Sequence, residues 1–282
     1  MSAPSLKNCV VLILFWVGTL LFTALAHSEN PRGEHAKLAL VSEQDAIVLG
    51  RRVWVGIRFD LENGWHTYWV NPGDSGEAPR IEWHLPAGFQ AGTVQWPFPA
   101  RLSTPPLADY GYEHQFLLLA PLNSFAQSND GENVTIAARV HYLVCREVCI
   151  PSEKQLELTL PVTSKVPSQS DPLFQVTRQR LPQRPPATWR ISAVSDEKQF
   201  VLTLRGKGIA FPQFFPLDAE EIENAATQNT TTTTGGIHVY LVKSKHLLKP
   251  IRRLHGVLVV GSVRAYWIDV PVSNRPKDSE DQ

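Results

Sequence analysis

The sequence has 282 residues, 43% hydrophobic and 19% charged, with 22 Pro, 17 Gly and 8 Trp. That is a globular composition, and it excludes disorder, collagen and coiled coil. The 27 basic residues balance the 27 acidic ones, so no net field marks the chain for nucleic acid or an anionic membrane.

Residues 1–26 read as a cleavable signal peptide. Lys7 precedes an apolar run from Cys9 to Phe22, and Ala24-Leu25-Ala26 supplies the small-x-small pattern, which predicts cleavage between Ala26 and His27. The run is shorter than the roughly 20 apolar residues of a membrane span. Cleavage removes Cys9, one of the 3 cysteines. Cys145 and Cys149 remain, in an exported chain that meets oxidising conditions.

Residues 34–162 read as a first domain. Strand-like runs are expected at Ala46–Phe59, Gly64–Val70, Phe116–Leu122, Val134–Val144 and Gln155–Val162. Turn signals separate them at 71–76, 86–88 and 129–131. This spacing predicts an antiparallel β-sandwich. Residues 163–188 read as a linker, with a short helix over Leu173–Leu181 that Pro182 and the Pro185-Pro186 pair stop. Strands return at Trp189–Val194, Gln199–Arg205, Ile237–Leu241, Val257–Val260 and Arg264–Pro271, a second, smaller β domain over 189–273. Thr227–Gly236 reads as a solvated low-complexity loop, and 274–282 as a polar tail.

The cysteines sit where two alternating patterns meet. Val134, Ile136, Ala138, Val140, Tyr142 and Val144 are apolar, and the residues between them are mostly polar. That period of two predicts a half-buried strand with Cys145 on its outer face. Leu156, Leu158 and Leu160 alternate with Gln155, Glu157 and Thr159 in a second such strand. Cys145–Pro151 is then a hairpin tip, where two cysteines can approach to the roughly 4.4–6.8 Å between Cα atoms that a disulfide needs. The loop closed is short, and the chain-entropy model gives it less than the ~3 kcal/mol of a 15-residue loop. Arg146 favours a thiolate and Glu147 opposes it. Three readings stay open at this point: a redox-active pair, a structural disulfide, and a metal site. His141 lies about 13 Å from Cys145 along an extended strand, too far to share one metal. Two thiolates alone suit Cu(I), although the only Met is Met1.

Four segments occur in order: Gly64–Gly76 (GWHTYWVNPGDSG), Gln95-Trp96-Pro97, Asp109–Glu113 (DYGYE) and Leu143–Pro151 (LVCREVCIP). Together they resemble the amino-terminal periplasmic region of the DsbD/ScsB family of thiol:disulfide interchange proteins, and more so its ScsB (suppressor of copper sensitivity) branch. Phe214-Phe215-Pro216, Glu221–Ala226, Gly256–Val259 and Ala265–Pro271 extend the resemblance into the second half. It implies an all-β fold of two immunoglobulin-like sandwiches, the first carrying Cys145 and Cys149 at a hairpin tip as the catalytic pair. It also implies that Asp109–Glu113 aligns with a cap loop, with Tyr110 or Tyr112 shielding the disulfide and Asp109 as a proton acceptor. The family's function would be periplasmic thiol:disulfide exchange without a cofactor. Electrons would come from a membrane or thioredoxin-like redox protein and pass to periplasmic disulfide proteins. DsbD has a longer spacer between its cysteines. The sequence contains no C-x-x-C, so a separate protein is expected to reduce or oxidise the pair. The copper link rests on the likeness alone.

The alternative class is a non-enzymatic envelope adaptor, with a structural disulfide and two β domains that bind a protein partner or Cu(I). Trp65, Trp69, Trp83 and Trp96 are better explained as sandwich core than as a sugar platform. His66, His84 and His114 lack metal-ligand spacing. Asp109 with Glu113 is too common a pairing to indicate a hydrolase.

Overall fold

The computed structural model describes residues 34–48, 50–125, 130–165 and 171–274. The expected signal peptide, its cleavage site and positions 275–282 of the polar tail lie outside the described residues.

The first half contributes β1 (Ala36–Ser42), β2 (Ile47–Val48), β3 (Arg52–Leu61), β4 (His66–Gly73), β5 (Arg80–His84) and β6 (Phe89–Ala91). It continues with β7 (Ala100–Thr104), β8 (Leu107–Glu113), β9 (Gln115–Ser124), β10 (Asn133–Cys145) and β11 (Cys149–Thr163). A helix, α1 (Pro172–Gln179), leads to β12 (Arg190–Ser195), β13 (Gln199–Arg205), β14 (Pro212–Pro216) and β15 (Thr230–Thr233). The last strands are β16 (Gly236–Val242), β17 (Arg253–Val260) and β18 (Arg264–Asn274).

One sheet runs β1-β3-β9-β6, and the facing sheet runs β2-β11-β10-β4-β8-β7 with β5 on β10. The expected hairpin forms: Val134 faces Leu160, Ile136 faces Leu158, and Cys145 faces Cys149 in antiparallel register. Alternation places Val134, Ile136, Ala138, Val140, Tyr142 and Val144 inward, where they meet Val55, Ile57 and Phe59 of β3 in the sandwich core.

The run expected over Ala46–Phe59 is two strands, β2 and β3. Gly50 stands between them with φ 71°, a left-handed turn conformation. The helix forms as expected and is capped by chemistry visible in the sequence. The Asp171 carboxylate accepts the Leu173 N–H at 2.8 Å, Pro172 occupies the first turn, and Arg178 in the last turn pairs with Glu43 (Nη2 to Oε2 2.8 Å). Phe174 buries the helix against Leu117 and Leu119 of β9.

The second half is one sheet, β14-β17-β18-β12-β13-β16-β15. Its two wings share a core: Phe214, Leu258 and Ile268 from one, Phe200, Leu202, Val239 and Leu241 from the other. The wings join where β12 and β18 run parallel over Ala193–Ser195. The loop expected at Thr227–Gly236 is corrected here. Thr230–Thr233 is a strand, β15, paired with β16 through a turn at Thr234-Gly235. Four β-branched threonines favour extended backbone, and as an edge strand they remain solvated, all four exposed.

Residues from Glu34 onward form one compact unit. β17 explains how the halves meet. Leu254, Leu258 and Val260 face the second core, while Val257 and Val259 face the first, joined there by Phe215 and Ala265. A strand buried on both faces is apolar along its length, as in Val257-Leu258-Val259-Val260. The Phe215 ring lies edge-on to Tyr110, 5.1 Å between centroids, and to Trp69 at 6.3 Å.

Candidate thiol–disulfide site

Cys145 and Cys149 are bonded, with Cα atoms 4.1 Å apart. The hairpin register sets them opposite each other as the last pair of β10 and β11. On its other side Cys145 pairs with His66 at the start of β4. The outer-face position expected for Cys145 is therefore not open: the residue is 2% exposed. Cys149, beginning the outgoing strand, is exposed.

A tyrosine covers the bond, and it is Tyr68. Its hydroxyl donates to Cys145 Sγ at 3.0 Å and reaches Cys149 Sγ at 3.2 Å. The neighbouring Thr67 fixes β4 against β10, its hydroxyl donating to the Leu143 carbonyl at 2.8 Å. Burial raises the Tyr68 phenol above its ordinary pKa, opposed by a hydrogen bond with Ser75, so its proton stays in place at neutral pH. The turn after β4 completes the shell. Ser75 donates to Asp109 through its N–H at 2.9 Å and its hydroxyl at 3.0 Å. A Cβ on Gly76 would lie 2.1 Å from the Tyr68 ring, so the chain there passes directly against the tyrosine.

The expected cap-loop residues occupy different places. Asp109, Tyr110 and Tyr112 lie in β8, not in a loop. The Tyr110 hydroxyl donates to Asn224 Oδ1 at 2.8 Å. The Tyr112 hydroxyl donates to the Pro97 carbonyl at 2.7 Å, and its ring stacks on Phe116 in the core. Alternation along β8, with both faces covered, turns these two rings into the core. The tyrosine over the sulfurs comes from the adjacent strand β4. Asp109 does join the site, through Ser75. Burial raises its carboxyl above the usual range despite the Ser75 hydrogen bonds that lower it. Burial lowers the His66 imidazole, against the fields of Asp109 and Glu113.

Arg146 and Glu147, expected to set the local charge, are exposed on the hairpin tip with Val148. The Arg146 guanidinium lies 5.1 Å from the Trp65 ring centre, and the His35 ring also stacks on Trp65, with ring centroids 3.7 Å apart. Arg146 is thus drawn over an aromatic face beside the disulfide. Sequence reasoning missed Tyr68, Ser75 and Gly76 as parts of the site. Their signal was available in the Gly64–Gly76 segment, which holds all three.

Among the described residues, no cluster of three or more His, Cys, Asp or Glu is arranged to hold a metal ion. No helix among them is long and apolar enough to cross a membrane.

The N-terminal periplasmic domain of ScsB from Proteus mirabilis has a similar structure: TM-score 0.66 at 17% identity, covering 86% of this chain and 95% of that one. At that identity the likeness is one of fold, and it spans both halves. The chaperone YadV aligns at TM-score 0.22 and 9% identity over 82% of this chain and 98% of that one. No curated protein sequence matches the chain. Residues 37–161 match the family of the N-terminal domain of the thiol:disulfide interchange protein DsbD, and this stretch carries Cys145, Cys149 and the Tyr68 shell.

Proposed function

We propose that the protein is a periplasmic thiol:disulfide exchange module, passing electrons through Cys145 and Cys149 between a separate redox protein and envelope proteins. The observation that carries this reading is the asymmetry of the pair. One cysteine is exposed at a hairpin tip, and its partner is buried, with a hydroxyl in contact with both sulfurs. A disulfide serving stability alone has no need of an exposed cysteine, and so short a loop gains less from it than a long one would.

In the reducing direction, the Cys149 thiolate attacks a partner disulfide. A mixed disulfide forms, and the partner's first thiolate leaves and takes up a proton. Cys145, deprotonated in turn, attacks Cys149 Sγ, and the partner's second thiolate departs. Two electrons move to the partner, and the Cys145–Cys149 bond is restored. The Tyr68 hydroxyl is placed to donate to whichever sulfur is anionic, a charge-assisted bond stronger than its bond to a neutral sulfur. Arg146 adds positive charge beside the exposed sulfur, and Glu147 subtracts from it. On this reading residues 34–162 carry the chemistry and 189–273 support it.

The test is the reduction potential of the pair, by thiol-specific mass tagging after equilibration in glutathione buffers, together with exchange by single-cysteine variants. A potential within roughly −120 to −270 mV is expected. Cys149→Ser should abolish mixed-disulfide formation, and Cys145→Ser should trap it. A potential below about −300 mV would identify a structural bond and an adaptor in place of an exchanger.

A further inference from the structure

We propose that Asn224 is a positioning residue for the disulfide: from the second half of the molecule, it holds the turn that seats Tyr68 on the two sulfurs. The inference rests on the exchange reading above and adds a control on it that lies outside the DsbD amino-terminal stretch.

The path is continuous. Asn224 is 6% exposed. Its amide donates to Asp74 Oδ1 at 2.8 Å, and its carbonyl oxygen accepts the Tyr110 hydroxyl at 2.8 Å. The other Asp74 oxygen accepts the Ala108 N–H at 2.8 Å, so Asp74 ties the turn to β8 and to Asn224 at once. Ser75 and Gly76 follow. Ser75 is fixed on Asp109, and Gly76 abuts the Tyr68 ring. Asn224 itself is clamped from the first half. Arg101 donates to the Asn224 backbone carbonyl through Nε at 3.1 Å and Nη2 at 3.0 Å, and to the Ala225 backbone carbonyl at 2.7 Å. At the start of the turn, Asn71 donates to the Pro216 and Asp218 carbonyls at 2.9 and 3.2 Å. The contacts of Asn224, Arg101 and Asn71 cross between the halves, and they converge on the segment that backs Tyr68.

The sign follows from the hydrogen bond. A hydroxyl held on the sulfurs stabilises a thiolate more than a neutral disulfide, which favours the reduced pair. Loosening the turn weakens that preference and shifts the equilibrium toward the disulfide.

The experiment is the glutathione equilibrium of the full chain for the wild type, Asn224→Ala, Tyr68→Phe and the double variant, with thermal unfolding to verify folding. Asn224→Ala should shift the equilibrium constant toward the disulfide about threefold, or roughly 14 mV at about 30 mV per tenfold. Tyr68→Phe should shift it further in the same direction. In the Tyr68→Phe background Asn224→Ala should add nothing, since the effect runs through the tyrosine. An unchanged equilibrium in folded Asn224→Ala, or an undiminished shift without the Tyr68 hydroxyl, would overturn the proposal while leaving exchange intact. A wild-type couple below about −300 mV would sink the exchange reading, and the Asn224 shift would still be read on the same titration. Should Asn224→Ala fail to fold, Arg101→Gln takes its place, loosening the same segment from a half-buried side chain. An unchanged equilibrium there also overturns the proposal.

Discussion

At the scale of single residues, Glu221 links the fold to pH. It is 4% exposed, and its Oε2 finds no hydrogen-bond partner among the described residues. Burial, then the charge of Asp218, push its carboxyl up to about 7 from an ordinary 4.5. The folded-state value lies above the unfolded one, so its contribution is fully favourable below about 4.5 and is lost as pH rises through 7. The shift corresponds to roughly 3 kcal/mol. Glu221→Gln should therefore raise the melting temperature by several degrees at pH 8 and by little at pH 4. Asp109 and His66 titrate in wild type and variant alike, so the difference isolates Glu221; an equal gain at both pH values would show that charge is not the cause. The cysteine pair was legible because cysteine is rare in this chain and two alternating patterns met around it. Tyr68 was less legible, since a strand tyrosine reads as core until the register places its hydroxyl at a neighbour's sulfur.

At the scale of elements, the pairing of β4 with β8 decides where Tyr68 stands. Tyr68 faces Gly111, and Thr67 faces Tyr112. A Cβ on Gly111 would lie 2.0 Å from the Thr67 carbonyl oxygen. Backbone cannot yield there as a flexible side chain would, so the two strands must separate. Gly111→Ala should lose about 1–3 kcal/mol in urea unfolding and lower the rate of exchange with a model disulfide. A variant as stable as wild type would mean that the strands have slack the packing does not suggest. β8 escaped sequence reading for a related reason. Asp109-Tyr110-Gly111-Tyr112 is polar and glycine-containing, which suggests a loop, yet every residue of it is buried because its polar groups are satisfied: Asp109 accepts from Ser75, and the Tyr110 and Tyr112 hydroxyls donate to Asn224 and to the Pro97 carbonyl. β15 escaped because a run of threonines reads as low complexity, and only its pairing with β16 reveals a strand. β10 and β11 were readable because one face is dry and the other wet.

At the scale of the whole molecule, the linker and helix suggested two domains, whereas residues from Glu34 onward form one compact unit whose junction the sequence did not reveal. Asn71, Asp74, Arg101 and Asn224 are unremarkable polar residues in sequence, and Asn224 lies more than a hundred positions from Asp74 and Arg101, which it meets in the fold. Only the apolar run of β17 hinted that a strand in the second half has both faces buried. This architecture bears on what the disulfide does for the fold. β10 and β11 are held by their full antiparallel register and by the shared core, independently of the bond at their tip. The cysteines are 4 apart in sequence, and the chain-entropy model assigns so small a loop about 2 kcal/mol. At roughly 2–4 °C per kcal/mol for a chain of this size, reduction should lower the melting temperature by only about 4–8 °C, leaving a single cooperative transition and an unchanged far-ultraviolet spectrum. Differential scanning calorimetry of the oxidised and dithiothreitol-treated protein measures this directly. An exchange module must remain folded in both oxidation states to complete a cycle. Loss of the cooperative transition on reduction would make the bond a support of the fold, a role incompatible with opening it at every turnover.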